Sequence, residues 1–333
     1  MAVMMESPAV HTTAKSLSGR CVLFAITSPN GFNRTSLYKA AHLACSLGMD
    51  LELFYCSFDS DVDHPALLKS HDAGVVRDRV EQRRRQLWAL AEDLRETGLC
   101  VHARVEWDSP VHEGIVRESL RQQAALVVVE SSYKNPVERL LLAQTDSKLI
   151  ETCPAPLLLI RGRRAYAAHP RIVAAVDPMH THAKPAILDQ AIVAAAADIS
   201  NALSGELHLF HARVPWAAAA HQVRGPQWVP DVVKGESQVA YEQGVESHVS
   251  ELALRHDVST LRTHLVDGDV EECLRSFTRC ESVDIVAMGA VSRSFVQRLT
   301  IGNTARRLLD DLGCDLLIVK PPGFRTPVRF SGS

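Results

Sequence analysis

The chain has 333 residues, 46% of them hydrophobic and 23% charged, with a formal net charge of −3. That length exceeds the usual size of one core and predicts two domains of roughly 150 residues each. The near-neutral charge excludes a global field for nucleic acid or an anionic membrane surface, and no run reaches the roughly 18 apolar residues that span a bilayer. Small-molecule partners are the expectation.

The opening "MAVMMESPAVHTTAKSLSGR" has neither a basic start nor a continuous apolar core, so the chain is expected to stay in the cytoplasm. In the first half, residues 21–26, 51–56, 101–107, 125–130 and 156–161 are short apolar runs rich in β-formers and read as strands. Segments 34–47, about 71–97, 111–123 and 137–151 lie between them and read as helices. The basic run "RDRVEQRRRQ" in the second helix reads as a solvated face opposite Val80, Leu87, Leu90, Ala91 and Leu94.

The second half repeats the order. Strands are predicted at 172–177, 206–212, 262–266, 284–289 and 315–320, with helices at 185–201, about 236–255, 270–279 and 303–312. Strands alternating with helices imply right-handed crossovers and, in each half, a five-stranded parallel sheet covered on both faces. The basic link 162–171 is short, so the halves are expected to pack together. A 22-residue connection, 214–235, carries Trp216 and Trp228 and reads as a surface loop or a lid.

Laid over each other without a gap, 125–161 and 284–320 share strand, loop, helix and strand, but Gly289 faces Glu130 and Gly302 faces Ala143. In such sheets ligands sit beyond the carboxyl ends of the strands where strand order reverses. Three features of the second half should meet there. Asp177 ends the first strand, where a carboxylate suits a ribose hydroxyl or an adenine-edge donor. Met288 and Gly289 end the fourth strand, the glycine allowing a tight turn and close backbone approach. Gly302-Asn303-Thr304 opens a helix whose free N–H groups suit an anion, and Arg293 in the preceding loop adds positive charge.

The segment "VDIVAMGAVSRSFVQRLTIGNTARRLLDDLGCDLLIVKP", with "VAAVDP" upstream, resembles the nucleotide-binding signature of the universal stress proteins, G-x2-G-x9-G-[S/T]. The resemblance runs over nearly the whole chain as a tandem duplication and is nearest in kind to the E-type members, through "GNTA", "CDLL", "KPPGFRTPV" and, in the first half, "QTDSKLIETCP". It implies two tandem flavodoxin-like or adenine-nucleotide α-hydrolase-like α/β domains about a pseudo-twofold axis: a degenerate one at 18–163 and one with a partial nucleotide motif at 169–323. It further implies that Ala175, Val176 and Asp177 border an adenosine with Ala212 beside them. Met288 and Gly289 would flank the ligand, and Gly302, Asn303 and Thr304 would hold phosphate. Ser292 stands at the motif's second glycine, and Asn303 where the family has Ser or Thr. Glu130, Ala143 and Thr27 replace Gly289, Gly302 and Asp177 in the first half, which therefore reads as a structural partner.

The functional expectation is a stress-response protein that binds a small ligand, with ATP or another adenine nucleotide at the second domain as first candidate. The alternative is an adaptor that takes an acyl or amphipathic molecule, or a client protein, in the interdomain cleft; very slow ATP hydrolysis is third. The P-loop, dinucleotide, esterase and HExxH patterns are missing, so no catalytic residue is assigned. No metal motif is assigned either: His180 and His182 lack an evident third ligand, and His208 and His211 should face opposite sides of a strand. The eight cysteines form no C-x-x-C pair and read as reduced, mostly buried thiols. A homodimer on top of the intrachain pair is left open.

Overall fold

The computed structural model describes residues 17–27, 32–57, 73–131, 136–177, 187–213, 238–290 and 312–329. The first half runs β1 (Cys21–Ile26), α1 (Arg34–Leu47), β2 (Asp50–Ser57), α2 (Ala73–Arg95), β3 (Val101–Trp107), α3 (Val111–Arg121), β4 (Ala124–Glu130), α4 (Pro136–Thr152) and β5 (Leu157–Ile160). The second runs β6 (Arg171–Ala175), α5 (Ile187–Ala202), β7 (Glu206–Arg213), α6 (Gln238–Arg255), β8 (Thr263–Asp267), α7 (Val270–Cys280), β9 (Ile285–Gly289) and β10 (Asp315–Val319). The helix expected over 303–312 and the loop 214–235 fall almost entirely outside the described residues.

Local signals set the element ends. The Asn33 carboxamide oxygen accepts the N–H of Thr35 and opens α1, and Gly48 closes it in the left-handed region at φ 69°. Between them Leu37, Ala40, Leu43, Ala44 and Leu47 recur on one buried face. At α7, Asp269 accepts from the N–H groups of both Glu271 and Glu272. β6 stops at Ala175, two residues short of the expected end. A residue before proline avoids helical backbone and opens a turn, and here the N–H of Asp177, ahead of Pro178, leaves the ladder for the Asp189 carboxylate at 3.2 Å.

Each half has five parallel strands in equivalent order, β3-β2-β1-β4-β5 and β8-β7-β6-β9-β10. The two sheets are joined into one sheet of ten strands, because β5 and β10 pair antiparallel with Leu158 opposite Leu317. That pair marks the pseudo-twofold axis. Helices α1, α2, α5 and α6 cover one face over a continuous core that includes Leu43, Leu94, Ile199 and Val249. Helices α3, α4 and α7 cover the other over Ile115, Leu149 and Leu274. In α2, Leu87, Ala91 and Leu94 are buried while Arg84 and Arg85 are exposed, as the basic run implied.

The halves are also tied by side chains. Asp315, at the start of β10, is fully buried and accepts from Lys39 Nζ of α1 at 2.7 Å, from Tyr166 Oη at 2.9 Å, and from the N–H groups of Arg161 and Gly162 at 2.8 Å each. The N–H of Leu17 donates to Asp198 on α5 at 2.7 Å, and Lys320 Nζ reaches back to the Glu151 carbonyl at 3.0 Å.

Candidate functional site

β6 is the middle strand of the second half, with Ala175 paired to Phe210 of β7 on one side and Ala174 to Ala287 of β9 on the other. The chain moves outward through β7 and β8 and then returns to the far side of β6 with β9 and β10. Strand order therefore reverses between β6 and β9, and the carboxyl ends of these strands border the crevice where open α/β sheets hold ligands. Val176 follows β6 and donates its N–H to Phe210 O at 2.9 Å; its side chain is buried. Asp177 is half-buried, and its N–H is held by Asp189 in the first turn of α5, a buried carboxylate that the sequence pattern did not mark.

The six described candidate residues converge on these tips but divide between the two faces. Ala175, Ala212 and Met288 pack on the cluster under α3, α4 and α7. Val176 and Gly289 lie toward α5. A Cβ at Gly289 would stand 2.9 Å from Leu188 Cδ2 and 3.2 Å from Ile192 Cδ1. The described glycines with left-handed φ are Gly48, Gly98, Gly268 and Gly323, so close packing of α5 accounts for Gly289 and turn freedom does not. Gly289→Val is expected to lower stability by about 1–3 kcal/mol through this overpacking. Chemical unfolding measures it, and a neutral result would mean α5 gives way. Ser292, Arg293, Gly302, Asn303 and Thr304 lie outside the described residues, as do His180 and His182.

The equivalent tip of the first half is occupied by the chain's own acids. The Glu130 carboxylate accepts the N–H of Asn33, the residue that caps α1, at 2.6 Å. One residue on, Ser131 Oγ donates to the buried Asp146 of α4 at 2.6 Å. Glu130 was legible from the alignment of the halves. Asp146 was not, because only folding brings α4 back to the end of β4.

The two strand histidines make different contacts. His208 Nδ1 lies 3.0 Å from His264 Nε2 with the rings stacked, and burial followed by the neighbouring His264 holds His208 below the usual imidazole range. His211 Nδ1 instead meets the Val176 carbonyl at 2.9 Å, on the buried side of the crevice. The cysteines are all free, but only Cys21, Cys56, Cys153 and Cys314 are buried. Cys45, Cys100 and Cys280 are exposed and Cys273 is intermediate, fewer buried thiols than their apolar runs suggested.

The sequence profile described as the Universal stress protein family matches this chain twice, over residues 22–161 and 169–320. The chain belongs to the universal stress protein family. It is 23% identical over 320 residues to Universal stress protein E of Escherichia coli K12, covering 92% of this chain and 96% of that protein. The corresponding protein of Salmonella typhi is 24% identical over the same length. Among solved structures, a protein of unknown function from Pseudomonas aeruginosa PAO1 superposes with a TM-score of 0.67 at 22% identity, over 92% of this chain and 94% of its own. A universal stress protein from Archaeoglobus fulgidus superposes with a TM-score of 0.62 at 11% identity, over 94% and 99%. These likenesses fix the tandem α/β fold of this universal stress protein. No helix among the described residues is long and apolar enough to cross a membrane.

Proposed function

We propose that this universal stress protein acts in the stress response by binding an adenine nucleotide, ATP first, at the carboxyl ends of β6 and β9. The observation that carries the reading is the contrast between the two strand tips. In the first half Glu130 supplies a carboxylate that already engages the start of α1, whereas the second half has Gly289 at the equivalent position. An anionic phosphate is repelled by Glu130 at the end of β4, whereas Gly289 puts no side chain at the equivalent end of β9. Family members often bind adenine nucleotides, which supports this choice of ligand. Asp177 would meet the ribose side, and Gly302-Asn303-Thr304, which reads from the sequence as a helix start, would take the phosphates with Arg293. The free thiols suit a reducing compartment, which supports action in the cytoplasm.

The test is calorimetric titration of ATP, ADP and AMP into the full chain and three variants. One site per chain is expected, abolished by Gly302→Val, where a β-branched side chain crowds the phosphate. Glu130→Gly should add no second site, since Asp146 and Thr27 remain. Ser292→Gly should tighten ATP by restoring room in the loop. Two equivalent sites per chain would refute the asymmetry. No binding of any of the three at millimolar ligand would discard the nucleotide in favour of an amphipathic ligand or a client protein.

A further inference from the structure

The amino ends of the first-half strands, away from the crevices, gather three side chains of metal-ligating type. Leu51 of β2 pairs with Val101 of β3, and the Leu51 N–H donates to Cys100 O at 2.9 Å. Asp50 is thereby set beside Cys100, and Cys100, just ahead of the outermost strand, lies two residues from His102 within it and on the same side. Cys100 Sγ lies 3.5 Å from His102 Nε2, and that nitrogen lies 3.7 Å from Asp50 Oδ2. All three donor atoms fall within 4.8 Å of one another.

Bonds of about 2.3 Å to sulfur and about 2.0–2.2 Å to nitrogen and oxygen at tetrahedral angles place donor atoms roughly 3.3–3.6 Å apart. The Cys100–His102 and His102–Asp50 spacings need only a few tenths of an ångström of adjustment, and the third pair lies within 4.8 Å. Cys100 and His102 are exposed and Asp50 is partly so, which leaves entry and a fourth, water-held position open. A thiolate and a carboxylate together neutralise a dication. The neighbouring cation, Arg95, is directed elsewhere: its guanidinium donates to Val101 O at 2.8 and 2.6 Å and to Glu92 at 2.6 Å.

The geometry points to a surface site for a borderline-soft divalent cation, Zn²⁺ in type, held by Asp50, Cys100 and His102 and bridging β2 to the sheet's edge strand. Binding displaces the Cys100 thiol proton to solvent as the sulfur–metal bond forms. The site is independent of the nucleotide reading. The sequence hid it because Asp50 lies fifty residues from Cys100 and only the parallel pairing joins them.

The test uses the full chain, reduced and metal-free, titrated with Co²⁺. A near-ultraviolet thiolate-to-cobalt band should saturate at one equivalent and bleach on adding Zn²⁺. Cys100→Ser should abolish the band. His102→Ala and Asp50→Asn should weaken Co²⁺ binding by at least about tenfold, the smallest loss expected even for an outer-shell partner. Cys45→Ser and Cys280→Ser, at thiols exposed elsewhere, should leave it unchanged. All five positions are exposed or partly exposed, and circular dichroism verifies that each variant folds. Absence of the band, or a band that survives Cys100→Ser, would overturn the assignment.

Discussion

Asp315→Ala is expected to lower the stability of the protein by about 3–5 kcal/mol, the range for breaking one member of a buried ion pair. Lys39 and Asp315 expose 5% and 0% of their side chains. Removing the carboxylate leaves the Lys39 ammonium over the Tyr166 ring without its counter-charge and deprives the part-buried N–H groups of Arg161 and Gly162 of their acceptor. Gly162 also lets the network close, since a Cβ there would lie 3.1 Å from Lys39 Nζ and 3.3 Å from the carboxylate. Replacing the pair together, by Lys39→Met with Asp315→Leu, should recover part of the loss, because no lone charge then remains buried. Urea unfolding of the wild type and the two variants measures both effects. A loss below about 1 kcal/mol for Asp315→Ala would show that the tie contributes little beyond a surface pair.

The second large effect is one of pH. Glu52 of β2 is 5% exposed, and burial, followed by the charge of Glu118 on α3, pushes its carboxyl up to about 7 against the opposing pull of Arg104. Glu118 is itself buried and held by Arg121, by Gln122 Nε2 at 2.8 Å, and by Arg104 at 3.6 Å; Arg104 and Arg121 also meet Glu106. The folded state thus keeps a proton on Glu52 that the unfolded chain gives up near the ordinary value of 4.5. Stability contributed by this group is fully present below about 4.5 and lost as pH rises to about 7, by up to roughly 3 kcal/mol. Glu52→Gln should abolish that part of the pH dependence and leave the variant more stable than wild type at pH 8. Unfolding free energies of both proteins from pH 4 to 8 decide it, and parallel curves would refute the assignment.

Local structure was legible where a signal was local. Asn33, Gly48 and the buried face between them set α1 at the expected 34–47, and short runs rich in β-formers set β1, β3 and β4 within a residue. What the sequence could not carry was the identity of long-range partners. "LLLI" and "DLLIV" each read as a strand, yet nothing in either says that they pair antiparallel and merge two sheets. Lys39 reads as an ordinary helix lysine, and Glu52 as a polar residue alternating along "LELF"; burial makes both consequential only when Asp315 and Glu118 arrive. For the candidate site, the switch point followed from element order, and Ala175, Asp177 and Gly289 lie at it. The apolar packing behind Gly289 and the acid at Asp146 required the helices to be in place.

The antiparallel junction of β5 with β10 also bears on how such a chain can change over generations. Two identical subunits meeting on a twofold would have to associate from solution, whereas on one chain the same junction forms at any protein concentration. Identity also imposes parity: in a dimer of like subunits, a glutamate arriving at the strand tip would close both crevices at once. Here Glu130 stands at one tip, engaged by the N–H of Asn33, and Gly289 stands at the other. The ion pair has the same freedom, for registering the halves puts Ala195 and Pro156 where Lys39 and Asp315 would recur. Covalent linkage lets each copy change at its strand tip without the same change in the other.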